Sequence, residues 1–85
     1  MKIVIAGAGE VGSHLAKMLS NGSNEITVID TDGERLDVLS AHTDVITVVG
    51  NPSAIHILHE AEVEKADLFI AVNPSESQDV NIVSA

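Results

Sequence analysis

Six residues close to the start of the chain, Gly7-Ala8-Gly9-Glu10-Val11-Gly12, restrict its fold more than any others. They come directly after the apolar run Ile3-Val4-Ile5-Ala6. That run is β-branched and too short for a helix, which predicts a strand buried on both faces. After it, Val11, Leu15, Met18 and Leu19 recur at helical spacing until Asn21-Gly22 interrupts them. A helix with those four residues inward and a stop at the glycine is predicted. The glycines therefore form the turn between a buried strand and the helix it feeds.

The same alternation continues. Ile26 to Ile29 reads as a second buried strand ending at Asp30. Thr31 or Asp32 is placed to cap a second helix with Leu36 and Leu39 inward. Val45 to Val49 reads as a third strand ending at Gly50, and Pro52-Ser53 opens a third helix through Ile55, Leu58 and Ala61 or Glu62. Leu68 to Val72 is the fourth strand, and Asn73-Pro74-Ser75 the turn after it. A fourth helix is expected from near Glu76, cut off at Ala85. Strands alternating with helices of about ten residues imply a parallel sheet with right-handed crossovers. The expected class is α/β, a Rossmann-type doubly wound sheet of order 3-2-1-4, in its N-terminal part only. Ending there would leave strand four as an apolar edge, so residues 1–85 read as one domain of a longer protein, or of an oligomer that covers that edge.

In this setting G-x-G-x-x-G acquires chemical meaning, because it links a strand to a helix inside a βαβ unit of about thirty residues. Gly7 permits the tight turn, Gly9 lets the backbone approach a pyrophosphate, and Gly12 lets the helix pack close to the strand. The helix start offers unpaired N–H groups, Glu10's among them, to the phosphates. Asp30 stands 18 residues after Gly12, at the end of strand two, where a carboxylate accepts from ribose hydroxyls and repels a 2′-phosphate. Thr31 comes next rather than an arginine, which disfavours NADP and favours NAD(H). Ligands of such sheets lie beyond the strand ends, so Asn51-Pro52 is expected near the adenine and Asn73-Pro74 near the second ribose.

Composition narrows the partners. The chain has 85 residues, 45% of them hydrophobic, with Phe69 as the single aromatic. Four basic against 13 acidic residues give a net charge of −9, which opposes binding to nucleic acid or to an anionic membrane surface. No cysteine is present, so thiol chemistry and disulfides are excluded. No apolar run approaches the ~20 residues of a membrane span, and no signal peptide is read, which makes a soluble intracellular domain the expectation.

The segments M-K-I-V-I-A-G-A-G-E-V-G-S-H-L-A, V-I-D-T-D-G-E-R-L, V-V-G-N-P-S and A-D-L-F-I-A-V together resemble the N-terminal domain of Trk potassium-uptake regulators, the RCK or TrkA-N family. The resemblance runs over the whole chain in register. The glycine pattern is shared with many dehydrogenases, whereas D-x-D-G-E-R-L and the V-V-G turn are more selective. The resemblance implies a cytoplasmic regulatory subunit that is not an enzyme and sits against the inner face of the membrane through a potassium transporter subunit. It implies NAD(H), or ATP/ADP as in some relatives, as ligand. A homodimer or larger homo-oligomer is expected from the open edge of strand four. By position, Gly7 to Val11 would hold the pyrophosphate and Asp30 the adenosine ribose, with Asn51-Pro52 and Asn73-Pro74 lining the rest of the cleft.

Two other readings stand beside this one: the coenzyme half of an NAD-dependent dehydrogenase, and an assembly module that has lost its ligand. No catalytic constellation is legible, since Ser13 and His14 face different directions on a helix. His56 and His59 share a helix face but lack a third ligand at fixed spacing, so they read as surface histidines and no metal is expected. Arg35 reads as solvent-facing, with a place beside the adenine or a phosphate as the alternative, His42 as a partner of its helix's C-terminal dipole, and Asp67 as a turn residue.

Overall fold

The computed structural model describes residues 1–73 and 79–84. Its core is β1 (Lys2–Ala6), flanked by β2 (Glu25–Asp30) and β4 (Leu68–Asn73), with β3 (Ile46–Val49) beyond β2. These four strands are parallel and run in the order β3-β2-β1-β4, as expected for the first half of a Rossmann-type sheet. The helices α1 (Glu10–Leu19), α2 (Gly33–His42) and α3 (Ile55–Glu60) join them, and a 3₁₀ turn (Val63–Lys65) leads into β4.

Alternation along β1 builds two cores. Ile3 and Ile5 pack with Ile26, Val28, Leu36 and Leu39 beneath α1 and α2. Val4 packs with Ile29, Val48, Ile57 and Ala61 beneath α3. Successive side chains of a strand point to opposite faces, so a central strand covered on both sides must be apolar at every position. Ile3, Val4 and Ile5 are at most 1% exposed, which accounts for the unbroken run in the sequence.

The helices are seated by small residues. The buried residues of α1 are Gly12 and Ala16. Val11, Leu15 and Leu19 pack on the core from its flanks, but Met18, expected inward, is 58% exposed. Close approach of the helix axis at Gly12 and Ala16 rotates Met18 out of the contact. In α2, Leu36 and Leu39 are buried as expected, and the Asp32 carboxylate caps the first turn by accepting from the amides of Glu34 and Arg35.

The third helix begins later than Pro52-Ser53. Asn51 Oδ1 accepts from the Ser53 amide at 2.8 Å, closing a turn of its own, and α3 starts at Ile55. An Asn side chain that bonds two residues ahead competes with helix formation at that point. The face of α3 also differs: Ile57 and Ala61 are buried, whereas Ile55 is 78% exposed. Gly50 explains the choice, because a Cβ there would stand 2.3 Å from Ile57 Cδ1. Ile57 occupies the space the missing side chain leaves.

At the opposite end of the sheet, Lys2 ties three elements together. Its ammonium donates to Glu25 and to Glu62, and its amide donates to Asp67 Oδ2 at 2.7 Å. Asp67, a turn residue by sequence, thus pins the start of β1 to the start of β4. The contacts with Glu25 and Glu62 raise the Lys2 pKa, and the bond from Lys2 lowers that of Glu62. The Glu62 contribution is therefore present above the ordinary carboxylate pKa and fades as pH falls through the lowered value.

A strand, not the expected fourth helix, comes after β4. Residues Asp79–Ser84 form β5, paired antiparallel to β4 from Asn73↔Asp79 to Leu68↔Ser84. The segment is rich in β-branched residues, and β4 offers an unpaired edge, so strand pairing prevails over a helical start. The expected helix start at Glu76 lies outside the described residues. The β4 edge, expected to be open, is covered by β5, and β3 and β5 are the outer strands.

Candidate functional site

The glycine turn leaves the carboxyl end of β1 between β2 and β4. The Gly7 amide donates to the Ile29 carbonyl at 2.7 Å, which holds the chain against β2 for one more residue. Gly7 then adopts φ +114°, and a Cβ there would lie 2.9 Å from the Val72 carbonyl oxygen. Both facts require glycine. Gly12 is required for a different reason: its Cβ would stand 1.8 Å from the Gly7 carbonyl oxygen. The first turn of α1 is thus pressed onto the loop that precedes it.

Gly9 differs from both. It is the N-cap of α1 with φ −71° and ψ −161°, a conformation open to any residue. Backbone strain does not account for a glycine here. The first intrahelical bond runs from the Ser13 amide to the Gly9 carbonyl at 2.9 Å. Among the described residues, none accepts from the amides of Gly9, Glu10, Val11 or Gly12. Unpaired amides at a helix start carry partial positive charge and attract anions.

Asp30 is bonded to this loop. It is 9% exposed. Its Oδ2 accepts from the Ala8 amide at 2.6 Å, and its Oδ1 accepts from the Asp32 amide at 2.8 Å. The expected ribose acceptor is thus also a brace between the glycine loop and the start of α2. A carboxylate offers about four acceptor positions, so about two remain. Within the Gly7 to Val11 stretch, the Ala8 amide is committed to Asp30. The Gly50 amide donates to the Asp30 carbonyl at 2.9 Å, which brings Asn51 and Pro52 to the same end of the sheet.

A broad cleft of about 1350 Å³ opens beside the loop. It is lined by Gly7 to Val11, Ser13, His14, Leu15 and Lys17 of the loop and α1, by Asp32, Glu34, Arg35, Val38, Leu39 and His42 of α2 and its cap, and by Val72. Thr31 is exposed, and Asp30, Thr31, Asn51 and Pro52 are not among the residues that line the cleft. Asn73 ends β4, whereas Pro74 lies outside the described residues. Arg35 is exposed as expected, with its Nε 3.5 Å from Asp32 Oδ2. His56 and His59 are exposed, and His59 Nδ1 lies 3.4 Å from Glu64 Oε1. Among the described residues, no group of three or more potential metal ligands comes together, and no helix is long and apolar enough to cross a membrane.

Two residues of the site go beyond what sequence assigns them. Asp32 reads there only as a helix cap, yet it borders the cleft. Ser13 reads there only as a rejected triad member, yet its hydroxyl donates to the Ala8 carbonyl at 2.8 Å. A hydroxyl directly after the last fingerprint glycine is the signal that points to it.

Comparison with known proteins decides between the families that share this loop. The TrkA-N domain model matches residues 3–85. The chain belongs to the TrkA-N domain family. Over 84 residues it is 44% identical to the Trk system potassium uptake protein TrkA of Halomonas elongata and 39% identical to that of Haemophilus influenzae. It is 42% identical to a TrkA homolog of Archaeoglobus fulgidus. Each alignment covers 99% of this chain but 18% of the relative, so this TrkA-N domain spans about a fifth of their length.

Proposed function

We propose that this chain is the NAD(H)-binding domain of a Trk-type potassium-uptake regulator, a sensor rather than a catalyst. The observation that carries the proposal is the set of open amides from Gly9 to Gly12, set beside the buried Asp30 carboxylate. The residues present fit a dinucleotide. Amides of Gly9, Glu10 and Val11 would take the pyrophosphate, and the absence of a Gly9 side chain would let it approach. Asp30 would accept from the adenosine ribose, with the exposed Thr31 next to it in the chain. Beyond the lining of the cleft, Asn51-Pro52 would border the adenine, and Asn73, at the end of β4, the second ribose. The names of the relatives support potassium uptake as the setting. The partner would be a membrane transporter subunit, met at the inner face of the membrane, and the assembly a homo-oligomer. Regulation would arise from differential affinity, because a ligand shifts a conformational balance only by the difference in its binding to the two states.

Asp30→Ala is expected to weaken NAD(H) binding by roughly 1–3 kcal/mol, the scale of a hydrogen bond to a charged group. Calorimetric titration of the protein checks this. Unchanged affinity removes Asp30 from the ribose site.

A further inference from the structure

The backbone of Ala8 is held at both of its peptide groups. Its N–H donates to Asp30 Oδ2 at 2.6 Å, and its C=O accepts from Ser13 Oγ at 2.8 Å. Ala8 is 3% exposed. A helical hydroxyl ordinarily bonds back within its own helix, as Ser20 does to the Lys17 carbonyl and Ser40 to the Asp37 carbonyl. Ser13 reaches out of α1 to the loop instead. The carbonyl it meets precedes Gly9, so this bond fixes the plane that carries the Gly9 N–H. That amide is the first of the open donors.

We propose that Ser13 is a positioning residue for phosphate binding: its hydroxyl, opposite Asp30, orients the Ala8–Gly9 peptide so that the amides from Gly9 onward converge on the ligand. The inference rests on the dinucleotide reading above. Loss of the hydroxyl releases the loop in the protein without ligand. It also weakens ligands through their phosphates and not through their nucleoside, because Asp30 and the end of β2 are untouched. Ser13 acts through Ala8 and need not touch the ligand.

The test compares wild type, Ser13→Ala, Ser13→Thr and, as a control helix hydroxyl, Ser40→Ala. Affinities for NADH, ADP and adenosine are measured by calorimetry, and amide hydrogen exchange is monitored without ligand. Ser13→Ala is expected to lose about 5- to 10-fold in affinity for NADH and ADP, the scale of one hydrogen bond, with adenosine unchanged. Exchange at Ala8, whose amide is bonded to Asp30, is expected to quicken, while that of Val4 and Ile5 stays slow. Ser13→Thr restores both readouts, and Ser40→Ala matches wild type. Equal losses for ADP and adenosine, or wild-type exchange in Ser13→Ala, overturn the positioning role. A wild type that binds none of the three overturns the dinucleotide reading itself, and the exchange data then still show whether Ser13 holds the loop.

Discussion

Gly12→Ala lowers the stability of the domain by about 3 kcal/mol or more, among the largest effects a single methyl group can have. The added Cβ would meet the Gly7 carbonyl oxygen at 1.8 Å. Both groups are fixed to the main chain, so no rotamer change relieves the contact. Relief requires lifting α1 off the loop, which opens the packing of Ala16 and Leu15 against Ile3, Ile5 and Ile26. For a domain of this size each kcal/mol moves the thermal midpoint by roughly 4–8 °C, so a fall beyond ~12 °C is expected. Gly22→Ala is the matched control, since the nearest atom to its added Cβ, Asn24 Nδ2, would be 3.5 Å away. It is expected to stay within about 0.5 kcal/mol of wild type. Thermal unfolding of the two variants decides the matter, and a Gly12→Ala protein as stable as Gly22→Ala would mean that α1 is not seated as described.

Gly9→Val abolishes nucleotide binding and leaves the domain folded. Gly9 occupies an extended conformation that valine adopts without strain, so the cost to folding is that of a poorer helix cap, about 1 kcal/mol. The cost to binding is larger. A branched side chain at the N-cap stands between a pyrophosphate and the amides that would receive it. Each hydrogen bond to a charged group is worth about 1.5–3 kcal/mol, and losing two lowers affinity by more than about 100-fold. Circular dichroism and calorimetry on one sample separate the two effects. NADH binding of undiminished strength in Gly9→Val would place the ligand away from the loop.

The glycines mark how far this fold is legible in its sequence. Gly7 and Gly12 have the steric roles their places in the fingerprint imply, because a strand, a tight turn and a helix in fixed order leave little freedom. The buried strands are equally legible, since β1 is covered on both faces and must be apolar throughout. Met18 and Ile55 stand outside the core because helical spacing identifies an apolar stripe but not which part of it meets the sheet. The small residues Gly12, Ala16 and Gly50 settle that, and they do so by contacts with distant segments. Asp79–Ser84 defeats a local reading because a short segment of mixed polarity fits a helix start or a strand, and its pairing with β4 decides. The bonds of Ser13 and Asp67 and the brace on Asp30 join residues on different elements, which no local pattern announces.

The most direct measurement is calorimetric titration of the protein with NAD, NADH, NADP, ATP and ADP under one set of conditions. Binding of NAD or NADH with little binding of NADP is the expected result, since the Asp30 carboxylate repels a 2′-phosphate and Arg35 is engaged by Asp32. NADP binding as tight as that of NAD, or binding of ATP and ADP in preference to either dinucleotide, would contradict it.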